Sequence, residues 1–317
     1  MTTTNLTPVE TWLPPIEVKD HMGNALPADR EFFAPPPPQI GPIISAWSTL
    51  RASAAASSGF VKLFIMLISA AAAAGVVYFL VNRDIIRLHG DELLLVAGVS
   101  AAVVALIVAV TFKWRHQCNY IGENGIAIFS TSAWRGGRSI DKSQVLAFNN
   151  AAALTTHQVR HYHNGVYTGT NFNFSFFDPT GRRVLVISGS HHSKKGKPKP
   201  NSKFNLAVAA ELAWSRHYLG RALQELEETG FATFAAKGNH FVRIGPGVIE
   251  FHFKGDPVQM QRTDIRDVKL ASGTMTFYHH DAKWFSSRGK YSFEYGQLTN
   301  ARVFLLMLDK LMGYRFG

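Results

Sequence analysis

The sequence predicts a mixed membrane and α+β protein, in which a transmembrane two-helix hairpin precedes two tandem units, each a run of short strands closed by one helix. Three observations lead to this class. Two long apolar runs stand close together between residues 60 and 112, short alternating segments take over after them, and the order of strands followed by one amphipathic helix occurs twice. The divisions that follow are a Pro-rich segment over 1–59, the hairpin over 60–112, a first unit over 113–230 and a second over 231–317.

Residues 1–59 are expected to be a largely disordered tail. Prolines recur from Pro8 to Pro38, the stretch "APPPPQIGP" favours extended polyproline character, and no helical or strand period lasts long enough to bury a face.

The hairpin is read from "FVKLFIMLISAAAAAGVVYFLV" (60–81), with Lys62 as its one charge, and "LLLVAGVSAAVVALIVAVTF" (93–112), with none. Each meets the ~20 helical residues that a bilayer core requires. The first run begins too late for a cleaved signal peptide, and adjacent soluble helices apolar on every face are rare. The intervening "NRDIIRLHGDE" suffices for a tight connection, which puts both termini on one side. Arg51, Lys62, Lys113 and Arg115 flank the hairpin against Arg83 and Arg87 between its helices, so the termini are expected in the cytoplasm. The small residues of 69–75 and 98–102 would let the two helices approach closely.

After the membrane, "CNYIGENGIAIFS", "SQVLAFNN", "AALTTHQVRHYH", "VYTGTNFNFSFF" and "RRVLVISG" read as strands, with turns at Glu123–Gly125 and Asp178–Gly181. A helix follows, capped by Asn205, with Val208, Leu212, Leu219, Leu223 and Leu226 as its apolar stripe and Gly230 as its stop. The second unit reads as seven strands, "HFVRIG", "VIEFHFKG", "PVQMQ", "IRDVKLAS", "TMTFYHH", "KWFSS" and "YSFEYG", and a helix from Asn300 to Gly313. Near the start of each unit "IGENGIAIF" aligns with "IGPGVIEFHF", a faint mark of duplication.

The "YIGENGIAIF" opening, the strands-then-helix order and the position behind a membrane hairpin resemble the bacterial pleckstrin-homology-like (PH-like) domain membrane proteins of uncharacterised function. The resemblance covers about 116–317. It implies that each unit is a seven-stranded, partly open barrel closed by its C-terminal helix, that the barrels bind rather than catalyse, and that the chain sits in the bacterial inner membrane with no cofactor. The first hairpin turns, Gly122-Glu123-Asn124-Gly125 and Gly245-Pro246-Gly247, hold no Lys or Arg, which separates the chain from inositol-phosphate binders of the wider fold.

Catalytic motifs are missing: there is no GxSxG elbow, no phosphate loop and no HExxH. The one cysteine, Cys118, excludes a disulfide framework and any cysteine-based zinc site. His157, His161 and His163 are the candidate metal ligands. A type I′ turn at Asn164-Gly165 pairs His163 with Val166, Tyr162 with Tyr167 and His161 with Thr168, and leaves the three imidazoles on one face beside Val166, Thr168 and Phe172. With no carboxylate on either strand, a polar hairpin face is the preferred reading and no metal is expected.

Charge points to the partner. Residues 113–317 hold 27 Lys+Arg against 14 Asp+Glu, so that half is expected to meet something anionic. The loop "SGSHHSKKGKPKPNSK" gathers Lys194, Lys195, Lys197, Lys199 and Lys203 without an acidic residue, the candidate contact for anionic lipid headgroups. The expected function is that of a membrane-anchored cytoplasmic scaffold with a protein partner and no nucleic acid. The alternative is a membrane-tethered enzyme or metal-binding protein with its site at the histidine hairpin or between the units.

Overall fold

The structure is a computed structural model that describes residues 12–51, 58–83, 85–86, 90–111, 115–132, 140–193, 198–253, 255–283 and 285–316. Its first strand, β1 (Ile43–Ser48), precedes the hairpin helices α1 (Ser58–Asn82) and α2 (Asp91–Thr111). At 1.5 Å per residue these helices are about 37 and 31 Å long, enough for a hydrocarbon core of about 30 Å. They pack against each other, and no part of their most apolar stretches is buried inside the protein. Leu67, Phe79, Leu94 and Leu106 are all more than half exposed. A core helix hides such side chains, whereas these two could cross a membrane.

The chain then continues into β2 (Arg115–Gly122), β3 (Gly125–Ser132), β4 (Lys142–Ala147), β5 (Ala153–His163), β6 (Val166–Phe177), β7 (Arg183–His191) and α3 (Lys203–Thr229). β1 is hydrogen-bonded to β2, with Ser48 opposite Cys118 and Ala46 opposite Tyr120. The first unit is therefore a four-stranded sheet β1-β2-β3-β4, a three-stranded sheet β5-β6-β7 and a helix. Its first strand lies before the apolar helical hairpin and the rest after it. This corrects the division at residue 113.

Residues 12–51 are not a tail. Phe32, Phe33, Ala34, Ile40 and Leu50 are buried with Cys118, Tyr120, Ala127 and Phe129 on the face of the four-stranded sheet opposite the helix. Trp12 stands edge-on to Phe32 and Tyr120, with ring centroids 5.1 and 5.2 Å away. The Tyr120 hydroxyl donates to the carbonyl of Ala34. β2 and β3 are thus covered on both faces, and the nearly continuous burial of their residues, polar ones included, has this cause. The segment escapes periodicity because single side chains, not a face, carry its burial. Residues 1–11 and 52–57 lie outside the described residues.

The second unit has the same plan: β8 (Ala232–Ala235), β9 (Phe241–Gly245), β10 (Val248–His252) and β11 (Val258–Gln261) form one sheet. β12 (Ile265–Ala271), β13 (Thr274–His279) and β14 (Lys290–Glu294) form another, and α4 (Ala301–Met312) follows. Seven strands are expected and seven occur among the described residues, with one exchange. Residues 232–235 pair with β9, while Lys283 and Phe285 to Ser287, the described residues of "KWFSS", form no strand. A shared detail supports the duplication. A Cβ on Gly122 would lie 2.1 Å from the carbonyl oxygen of Ile40, and one on Gly245 would lie 2.7 Å from that of Gly230. In each unit the backbone just before the first strand presses on a glycine of the second, a contact that only glycine permits.

α3 serves both units. Leu206, Ala207, Ala210, Ala213 and Trp214 pack in the first core, and Tyr218, Leu219, Ala222 and Leu226 against the second. The expected stripe is displaced, because Leu212 and Leu223 are about 40 % exposed while alanines lie beneath. Small residues let the helix axis approach the sheet, and Trp214 fills the remaining space against Phe148 and Phe176. The N-cap is Ser202, whose hydroxyl accepts from the Phe204 amide, rather than Asn205. Gly230 closes the helix in the left-handed region, as its position predicts.

Candidate functional site

Three regions offer exposed chemistry: the histidine hairpin, the lysine loop at the N-terminal end of α3, and a cleft between the units. The hairpin turns at Asn164-Gly165, both at positive φ, and His163 pairs with Val166 and Tyr162 with Tyr167 as the turn type requires. A bulge then leaves Thr168 unpaired, so His161 faces Gly169 and His157 faces Asn173 rather than Thr168 and Phe172. All three histidines are exposed. His157 lies apart from the other two, its Nδ1 2.8 Å from where a Cβ on Gly296 of the second unit would stand. Among the described residues no three His, Cys, Asp or Glu side chains lie within reach of one metal ion. At the end of β13, His279 accepts from the Asp281 amide and His280 meets the Thr263 carbonyl.

At the other end of β7 a groove of 730 Å³ is lined by Phe172, Ser190, His191, Lys199, Ser202 and Lys203, among others. Lys199 and Lys203 are exposed at its rim. Lys194, Lys195 and Lys197 lie outside the described residues. Asn205, expected to cap the helix, instead anchors this loop by donating from Nδ2 to the Lys199 carbonyl at 2.8 Å. The His191 ring lies tilted against Phe204, with centroids 4.8 Å apart, and neither of its ring nitrogens has a hydrogen-bond partner among the described residues. Burial, then the neighbouring His192 and Arg160, lower its pKa. Tyr167 ties the histidine hairpin to this loop, its hydroxyl bonding Thr170 at 2.7 Å and the His191 and Ser193 carbonyls at 3.3 Å.

The cleft between the units, 590 Å³, is bordered by Thr155, His157, Asp178, Lys237, Gln297 and Thr299, with other residues. Asp178 is occupied: Thr180 and Arg182 bond its carboxylate, and the Thr180 hydroxyl foremost lowers its pKa.

Asn300 fixes the walls of the cleft. Its side-chain oxygen accepts from the Leu154 backbone amide at 2.9 Å and the Trp214 indole at 2.8 Å, and its backbone amide donates to the Leu154 carbonyl at 2.7 Å. One buried residue of the second unit thereby bonds a strand and the helix of the first. It heads α4, as the sequence predicts, yet it adopts a left-handed conformation and makes no side-chain cap. Arg302 reaches Glu211 at 3.9 Å nearby, and burial raises the pKa of Glu211 against that pull. Sequence reasoning missed this joint, because an asparagine before a helix is an ordinary cap signal.

The chain matches no protein-family model and no curated protein.

Proposed function

We propose that the chain is a membrane-anchored cytoplasmic scaffold that holds two PH-like binding modules at a bacterial inner membrane, the first against anionic lipid. The observation that carries this reading is the pairing of β1 with β2 across the hairpin. The strand that enters α1 and the strand that leaves α2 are neighbours in one sheet, so both helix ends meet the membrane from the side on which the modules stand. The repeated plan of four strands, three strands and a helix supports the PH-like reading of each unit as a partly open barrel. The excess of basic residues over 113–317 suits an anionic leaflet.

Lys199 and Lys203, with Lys194, Lys195 and Lys197 of the same loop, supply the lipid contact, at about 1 kcal/mol per lysine near the surface. The test uses the full chain in nanodiscs, because a fragment starting at residue 116 lacks β1 and the layer over β2 and β3. Amide hydrogen exchange over 188–203 is expected to be slower in phosphatidylglycerol than in phosphatidylcholine. High salt, or replacement of the five lysines by glutamine, should remove the difference. Equal exchange in the two lipids would overturn the lipid contact.

A further inference from the structure

β5 continues beyond Thr156 to His163 as an outer strand of its three-stranded sheet, and from His157 onward every residue is exposed. The bonds at its base show which backbone groups point outward. Leu154 donates to and accepts from Asn300, away from β6, so by the alternation of an antiparallel pair Thr156, Gln158 and Arg160 also point outward. Gly296 closes off Thr156, since a Cβ there would lie 3.1 Å from its carbonyl oxygen. Among the described residues Gln158 and Arg160 have no backbone partner on this side. The cleft between the units adjoins the base of the same edge through Thr155 and His157.

An open strand edge is a template for another strand. Charge decides which one. From Ala153 to Thr170 the hairpin carries Arg160 and three histidines with no Asp or Glu, and Lys237 adds a cation at the cleft. A second copy paired edge to edge would set like charges against each other, whereas an extended acidic segment meets opposite charge.

We infer that the outer edge of β5 at Gln158 and Arg160 receives an extended acidic peptide of a partner protein by strand addition, and that the adjoining cleft takes one of its side chains. This rests on the reading of the chain as an interaction protein but not on its contact with lipid. The backbone bonds supply affinity without regard to sequence, and Arg160, Lys237 and the imidazoles select for acidic side chains.

The test selects displayed random linear peptides on the full chain in nanodiscs of neutral phosphatidylcholine. Peptides rich in Asp and Glu are expected. Gln158→Pro removes an outward amide while leaving the ladder with β6 intact, as an edge strand permits, and should weaken the selected peptides about ten-fold. Methylating alternate backbone nitrogens of a selected peptide should abolish its binding to the unaltered protein, which makes the result independent of any effect on folding. The five-lysine variant should bind the peptides as the parent does. Selected peptides that bind equally well after Gln158→Pro and after methylation, or a selection without acidic enrichment, would overturn strand addition. Lipid-dependent exchange over 188–203 would then still stand or fall by itself.

Discussion

Replacement of Phe32 tests the layer formed by residues 12–51. Phe32 is 1 % exposed and lies against Trp12 and Tyr120, so Phe32→Ala removes a fully buried ring and leaves a cavity, at about 3–5 kcal/mol. Cys118 is the reporter. It is the one cysteine of the chain, it has no exposed surface beneath the layer, and burial pushes its thiol up to about 11. A thiol reagent therefore reaches it only when the layer opens. If opening precedes labelling, the rate rises with the open population, and each 1.4 kcal/mol counts as a factor of ten. Phe32→Ala should then speed labelling of the full chain in detergent by roughly 10² to several times 10³. Ile16→Ala is the control, because Ile16 belongs to the same segment and is 99 % exposed; it should label as the parent does. Equal rates for Phe32→Ala and the parent, or equal acceleration in both variants, would refute the assignment of this segment to the core.

Acidification should loosen the same layer. His21 bonds Ser45 through Nδ1, and its Nε2 is buried without a partner; burial, opposed by Asp20, brings its pKa down to about 4 from 6.5. The fold holds the neutral ring, so its stability is complete above about pH 6.5 and declines as pH falls towards 4, by up to about 3 kcal/mol. Cys118 labelling should accelerate over that range, and His21→Gln should flatten the profile. Asn300→Ala strips acceptors from the buried Leu154 amide and Trp214 indole, a loss of about 2–4 kcal/mol in thermal unfolding. Asn300→Gly, which relieves the left-handed backbone at φ 53°, should recover only the part owed to strain. Gly122→Ala should destabilise more than Gly245→Ala, in the order of the 2.1 and 2.7 Å approaches, and Gly75→Ala, where nothing lies within 4 Å, should leave unfolding unchanged. Single cysteines at Leu88, Ser139 and Ser272, in a Cys118→Ser background, should label from outside intact cells at Leu88 alone; labelling at Ser272 would invert the topology.

By itself the sequence determined the features that depend on local composition. The hairpin helices follow from uninterrupted apolar runs, the turn at Asn164-Gly165 from residues that tolerate positive φ, and the end of α3 from Gly230. The strands of the first unit from β2 onward were legible for the same reason, each having its own alternation and its own turn. Tertiary structure decided what depends on contacts between distant residues. Nothing local in "IISAWS" says that it pairs with a strand some 70 residues further on, and the two apolar runs between them invite a division of the chain where the sheet is continuous. Phe32, Phe33 and Ile40 are isolated among prolines, and only the sheet face that carries Tyr120 and Phe129 gives them a place to bury. The stripe of α3 was misread because hydrophobic size was weighed instead of fit: a helix lying close to a sheet turns its alanines inward and leaves Leu212 and Leu223 outside. Asn300 carries the joint between the units through groups that any asparagine has. Their partners, a backbone amide and an indole from the other unit, are brought to it by the fold alone.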